Sequence, residues 1–445
     1  MAEERSGHQL GRWTRHLGRG AYPSGRMATV QGADVVIVGA GVVGAAAAWR
    51  LASLGADVAL LDRAEVASGA SGVNAGMVDA PGWGRPDEHP DLETTLKMGS
   101  WELYQRVHLE EGEPIGFRRS GSVAAIATEA EWELAKATVD AARARGQEAE
   151  LLSSAELRSL EPEASPLLLG ARWSPLAAQA DPAEATRALA RLAARAGARV
   201  LEGHAVVHLR PRGEGFVVAT ELGELHCGAL VLAAGAWLGP LAHLLGVDVG
   251  VVAVRGQMWA TAPLPPRLFS TFSAMESPLA WATAPIEAGT PPQLTHDGGV
   301  RRARHLYGRQ NRTGEVIVGG DRQLAPADLV PTADPAGIAE NRAQAVEVLP
   351  FLDGAPATRT WAGLMPFSLD GRPFLGRLPG PGRLFVAGGL ASSGFNRGPM
   401  AGWLVADLVA GRPVPPCLSE AEPSGRVRER NPSGRVQERD QERNR

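Results

Sequence analysis

The sequence predicts an α/β protein of more than one domain, and three features carry that prediction. They are a β-branched apolar run feeding a glycine-rich turn, an Ala/Leu-rich helix behind the turn, and a second apolar run ending on an acid. Asp34-Val-Val-Ile-Val38 shows no polar alternation, the pattern of a strand covered on both faces of a parallel sheet. It leads into Gly39-Ala-Gly41-Val42-Val43-Gly44 and then Ala45 to Leu54, with Gly55 as the helix stop. Ala56 to Leu61 reads as the next strand, and it ends at Asp62. At 445 residues the chain exceeds one simple core, so two domains or a discontinuous pair are expected.

Each part of the turn has a physical task. Gly39 permits the tight turn, Gly41 lets backbone approach a pyrophosphate, and Gly44 lets helix and strand pack closely. The helix N-terminus, at Val42 and Val43, offers N–H groups and a positive dipole end to phosphate. Asp62 can accept from ribose hydroxyls, and an acid there favours a free 2′-hydroxyl. Strand, turn, helix, strand and acid in that order predict a Rossmann-like, dinucleotide-binding domain.

Composition excludes other classes. The chain carries a formal charge of −4, but residues 1–32 carry +3 and residues 413–445 carry +1, leaving −8 on the core. An acidic core argues against nucleic acid as a partner. Cys227 and Cys417 are too few and too far apart for a disulfide framework or thiolate metal site, and a cytoplasmic setting is expected. No run of 18 apolar residues predicts a membrane span, and the ten histidines show no metal-ligand spacing, so no metal is expected. Residues 1–32 lack the apolar stretch of a secretory signal, and residues 413–445 repeat a polar Pro-Ser-Gly-Arg-Val unit. Both ends are read as disordered extensions.

The fingerprint alone serves NAD and FAD alike. After Asp62 comes Arg63-Ala-Glu-Val-Ala-Ser68-Gly-Ala70-Ser71-Gly-Val-Asn74-Ala75-Gly76-Met77. Such a small-residue loop can fold over a flavin, its hydroxyls and amides donating to phosphate oxygens; a flexible linker is the alternative. The stretch resembles the flavin loop of the D-amino-acid oxidase superfamily, which includes glycine oxidase and sarcosine oxidase. Four further stretches are similar to that family. Asp181-Pro182, with its helix, Gly197 to Val200 and Val206, is the first. Leu230 through Ala234-Gly235-Ala-Trp237 is the second. Gly363-Leu-Met365-Pro through Asp370 to Gly376 is the third. Phe385 through Gly389 to Ser393-Gly394-Phe395-Asn396, then Pro399 to Gly402, is the last.

The resemblance implies non-covalent FAD, a small amine or amino-acid substrate, and oxidation of a C–N bond by hydride transfer to the flavin. It implies an FAD-binding domain at 33–88, 166–250 and 355–412. A discontinuous α+β substrate domain, on a mixed or antiparallel sheet, would occupy 89–165 and 251–354. Strand-like runs at 121–126, 251–260 and 315–319 fit that sheet, and residues 262–300 read as a loop or lid. Met365 and Phe395 would line the flavin's face with Ser393, and Tyr307 would face substrate or pack as a strand aromatic.

The chain departs from the family at three places. The two usual carboxylate anchors are replaced by Met365 and Asn396, so either Arg309 or Arg397 takes that role or the substrate lacks a carboxylate. Sarcosine oxidases attach flavin to a Cys where this chain has Gly363. Their oxygen-activating Lys is replaced by Ile317. Another electron acceptor, or a subunit partner in a larger complex, therefore stays open.

Overall fold

The computed structural model describes residues 32–284, 289–297, 299–380 and 382–429. Its first sheet has a parallel centre in the order Arg199–Leu201, Val58–Leu61, Ala33–Val38, Gly223–Leu232, Arg383–Gly388. Strands Val206–Arg212 and Gly215–Thr220 extend it as an antiparallel meander onto the first half of Gly223–Leu232. The unbroken apolar run of the first strand is explained by its two covered faces. Val35 and Ile37 pack under helices Val42–Ser53, Pro182–Arg195 and Gly394–Val409, whereas Val36 and Val38 pack with Phe216, Leu238 and Val249 on the other side.

Local chemistry sets the helix boundaries. Asp181 caps Pro182–Arg195 by accepting from the Glu184 amide at 3.0 Å, with Pro182 at the first helical position. Helices Val42–Ser53 and Gly394–Val409 cross with their backbones in contact. A Cβ at Gly402 would sit 2.1 Å from the Val43 carbonyl oxygen, so only glycine allows the approach.

The second sheet is mixed, in the order Ala357–Ser368, Val251–Thr261, Val316–Leu324, Tyr307–Gln310, Thr271–Ala274, Ser122–Ile126, Gly170–Ser174, Glu150–Ser153. Every neighbouring pair is antiparallel except Thr271–Ala274 with Ser122–Ile126. A buried core of Trp259, Phe272, Val316 and Val318 lies beneath it. Its opposite face looks toward the first sheet and carries Met258, Ile317, Tyr307 and Trp361.

The structure redraws several expected boundaries. Helix Leu92–Leu109 buries Leu96, Tyr104 and Val107 in the core of the first sheet, although 89–165 was assigned to the substrate domain. Strands Gly170–Ser174 and Ala357–Ser368 belong to the second sheet, although 166–250 and 355–412 were assigned to the FAD domain. The stretch read as a loop or lid contains strand Thr271–Ala274 and helix Glu276–Thr283. The disorder expected from residue 413 does not hold for 413–429. Pro416–Ala421 is a 3-10 helix that buries Leu418 and Ala421, and Val427–Glu429 pairs with Val247–Val249. A few apolar side chains anchored to a formed core suffice to order a polar segment. The expectations for residues 1–31 and 430–445 lie outside the described residues. Among the described residues, no helix is long and apolar enough to cross a membrane, and no group of His, Cys, Asp or Glu is placed to hold a metal ion.

Candidate active site

A single cavity of about 880 Å³ runs between the two sheets, from the glycine turn to the face of the second sheet. At the turn, Gly39 has φ +111° and its amide donates to the Leu61 carbonyl at 2.7 Å. Helix Val42–Ser53 starts with no acidic residue in its first turn, which leaves its positive end for an anion. A Cβ on Gly41 would lie 2.9 Å from Ser71 Oγ, so this glycine keeps the approach to the helix end open. The Val42 amide donates to Ser71 Oγ at 3.0 Å, which ties the small-residue loop to the turn. Asp62 accepts from the Ala40 amide at 2.8 Å and the Ala64 amide at 3.0 Å. Burial raises its carboxyl above the ordinary range, and those two amides pull it back.

The loop after Asp62 is a fixed structure rather than a flexible linker. Asn74 holds it from within, donating to the Ala70 and Ser71 carbonyls at 3.0 Å and accepting from the Gly76 amide at 2.8 Å. The second sheet holds it from outside. Trp361 Nε1 donates to the Val73 carbonyl at 2.7 Å, Arg309 Nε donates to the Ala75 carbonyl, and Arg309 Nη1 donates to Gln179 Oε1 at 3.0 Å.

Most of the expected cofactor residues line this cavity. They are Gly39, Gly41, Val42, Val43, Asp62, Arg63, Ser68, Ala70, Ser71, Asn74, Ala75, Gly76, Met77, Val206, Ala234, Gly235, Trp237, Gly363, Ser393, Gly394 and Asn396. Two do not. Gly44 lies beneath the turn, where a Cβ would be 1.9 Å from the Gly39 carbonyl oxygen. Gly389, at φ +72°, turns the chain between the lining residues Gly388 and Leu390. The Arg63 guanidinium stacks 3.8 Å from the Trp237 ring. Trp237 Nε1 and Asn396 Oδ1 are buried, belong to residues that line the cavity and have no partner among the described residues. An extended ligand with phosphates at one end and polar ring edges at the other would satisfy these groups, and FAD has that form.

At the far end the wall contains Tyr307, Met365 and Phe395, as the sequence suggested. Phe395 is also core, stacked 4.8 Å from the Tyr104 ring. The Tyr307 hydroxyl donates to Met258 Sδ at 3.3 Å, and burial raises its phenol above the ordinary value. Both arginines proposed as carboxylate anchors are engaged elsewhere and do not line the cavity. Arg309 is the clamp of the loop, buried to 3% exposure, and burial lowers its guanidinium to about 10. Arg397 Nη1 pairs with Glu93 at 2.6 Å and Nη2 donates to the Leu390 carbonyl at 2.6 Å. Ile317 packs with Ala75 and Met258 in an apolar cluster.

Among the polar residues of the cavity wall that sequence reasoning missed are Lys97, Arg172, His305 and Arg322. Lys97 is neutralised by Asp79 at 2.7 Å and Glu93 at 3.2 Å. Nothing in local spacing signals Lys97, although it is one of two lysines in the chain. Arg322 was missed because the strand was ended at residue 319, whereas it continues to Leu324.

A family model of FAD dependent oxidoreductases matches residues 34–408. Glycine oxidase of Bacillus licheniformis is 26% identical over 387 residues, covering 86% of this chain and 94% of that protein. Glycine oxidase of Geobacillus kaustophilus is 29% identical over 381 residues, covering 84% and 92%. The crystal structure of glycine oxidase from Geobacillus kaustophilus matches with a TM-score of 0.75 at 26% identity, covering 88% of this chain and 98% of that one.

Proposed function

The chain belongs to the FAD dependent oxidoreductase family and oxidises a C–N bond of an amine or amino acid; on that premise, we propose that it holds FAD non-covalently along the whole cavity and acts on a small amine at the second sheet. The observation that carries the reading is the continuity of the cavity. One space is lined at one end by a phosphate-binding turn and at the other by the sheet face bearing Tyr307 and Met365.

The turn at Gly39–Gly44 and the helix end behind it would receive the pyrophosphate, and Asp62 the ribose hydroxyls. The loop 68–77, Trp237 and Asn396 would hold the remaining polar edges. Bound FAD supplies a two-electron acceptor that takes a hydride from the carbon beside nitrogen, leaving an imine that water hydrolyses. The protein's part is alignment and exclusion of water. Met365, Phe395 and the Tyr307 ring close the far end with apolar surface, and the clamped loop keeps the opposing wall from shifting. Non-covalent binding is supported at Gly363, which offers no nucleophile. A side chain there would press on Val73, whose Cγ2 lies 3.0 Å from the position of a Cβ.

The test is an anaerobic screen of the purified yellow protein against small amines and amino acids, following loss of the oxidised flavin's visible absorbance. Bleaching by at least one member is expected. A colourless preparation that takes up no added FAD, or a flavin that no C–N substrate reduces, would refute the reading.

A further inference from the structure

The second sheet carries a buried cation that no acid among the described residues neutralises. Arg322 is 7% exposed, and among the described residues no carboxylate lies within ion-pairing distance of it. Its Nη2 donates to His305 Nε2 at 2.8 Å, its guanidinium lies 4.6 Å from the Trp281 ring, and Nη1 reaches Gln293 only at 3.5 Å. Its Nε has no partner among the described residues. A guanidinium has five N–H donors in a planar fork, and this one makes a single short hydrogen bond, with its Nη1 contacts at the limit of bonding distance. Burying such a charge unpaired is costly, and proteins rarely do so without an anion to receive. Arg322 and His305 both line the cavity.

A local irregularity delivers Arg322 to that position. Strand Val316–Leu324 pairs Met258 with Gly319 and Gln257 with Gly320, and then Gly256 with Arg322. Asp321 is therefore an extra residue, and it sits in the left-handed region at φ +61°. Strict alternation would have put Arg322 opposite Arg255, on the face away from the cavity. The bulge puts it opposite Gly256, whose other neighbour, across Val251–Thr261, is Gly363. Directly paired residues share a face, and the Gly363 position looks onto Val73 of the flavin loop. The bulge is anchored on its own side. Asp321 accepts from Gln257 at 2.8 Å, Gln323 at 2.7 Å and Arg301 at 2.9 Å.

His305 fixes the direction of the fork. Because its Nε2 accepts from Arg322, its Nδ1 carries the proton and donates to Ser277 Oγ at 2.7 Å. Burial and the neighbouring guanidinium hold the ring neutral.

We propose that Arg322, turned into the cavity by the bulge at Asp321 and oriented by His305, receives the carboxylate of the substrate, so that the enzyme takes a carboxylated amine. This rests on the proposed amine oxidation, and its test separates the two. FAD-loaded wild type, Arg322→Met and Arg322→Lys are compared for FAD content, thermal midpoint and anaerobic flavin reduction. The substrates are glycine, sarcosine and other α-amino acids, each set beside its own amide. Acetate, which cannot be oxidised, is titrated separately against the spectrum of the oxidised flavin.

Arg322→Met should weaken the acid substrates and acetate by about a hundredfold or more, while the amides change by no more than about threefold. Arg322→Lys should restore part of the loss, because it returns the charge without the fork. Unchanged preference for acid over amide in Arg322→Met, or equal loss of both, overturns the inference and leaves amine oxidation standing. If Arg322→Met fails to retain FAD, the lysine variant decides. A selective loss of acids of about tenfold supports the assignment, and an unchanged acid preference overturns it. If wild type is reduced by no amine or amide, the amine reading fails, yet acetate binding still reports on Arg322.

Discussion

Replacing Arg309 with Met should loosen FAD without changing which substrates reduce it. Arg309 makes two charge-assisted hydrogen bonds from a buried position, to the Ala75 carbonyl and to Gln179 Oε1. Losing both removes about 3–6 kcal/mol, at roughly 1.5–3 kcal/mol for each bond to a charged group. Against this, the fall of its pKa from 12.5 to about 10, caused first by burial and then by Arg118 and Arg312 against the opposing pull of Asp181, means that the site holds about 3 kcal/mol against the charged form, a cost that Met does not carry. The difference is a net destabilisation of about 0–3 kcal/mol, small for a buried arginine. The local effect is more specific. The Ala75 carbonyl loses its donor, and the adjoining turn, held by Asn74, loses its external clamp. One hydrogen bond's worth of loop order, about 1–1.5 kcal/mol, corresponds to roughly a tenfold rise in the Kd for FAD. Urea unfolding of the apoprotein gives the first quantity, and FAD fluorescence on titration gives the second. Unchanged FAD affinity together with selective loss of acid substrates over amides would return Arg309 to the substrate site and refute the clamp.

Gly44→Ala should lower stability by about 1–3 kcal/mol or more and reduce FAD content, because its Cβ would sit 1.9 Å from the Gly39 carbonyl oxygen. Denaturation and FAD content decide it, and a normal midpoint with full flavin would contradict the packing. Acid precipitation of the purified protein should leave FAD in the supernatant. Colour pelleting with the polypeptide would show a covalent bond that Gly363 cannot make. His305 stays neutral in the folded state, with its pKa well below 6.5, whereas the unfolded residue protonates as pH falls through 6.5. Its contribution to stability is therefore present above pH 6.5 and lost below it, down to the folded value, at about 1.4 kcal/mol per pH unit. His305→Gln should remove that part of the slope, which pH-dependent urea unfolding of the two proteins would reveal; identical slopes would count against a neutral buried ring.

The dinucleotide end of the site was legible in the sequence, whereas the substrate end was decided by tertiary structure. The turn, its helix and Asp62 lie within 24 consecutive residues, from Gly39 to Asp62. Their geometry follows from local rules: glycine where the backbone turns or approaches closely, a helix end aimed at an anion, and an acid at the end of the next strand. Met365 and Phe395 along the cavity were also expected, because they sit in stretches whose pattern resembles a known family, and that resemblance implied the mixed second sheet and Tyr307 facing the substrate. Arg309 and Arg397 looked equivalent in sequence, since residue type says nothing about whether a carbonyl or a carboxylate has already claimed a guanidinium. Helix Leu92–Leu109 joined the first core through contacts with Gly394–Val409, about 300 residues away along the chain, which no local pattern contains. Arg322 shows the limit most clearly. Gly320-Asp321-Arg322-Gln323 is polar and lacks alternation, so it reads as the end of a strand. Only pairing with Val251–Thr261 extends the strand, and only one extra residue at Asp321 moves Arg322 from one face to the other. A period of two is legible in a sequence, but a one-residue shift in register is decided by what lies across the sheet.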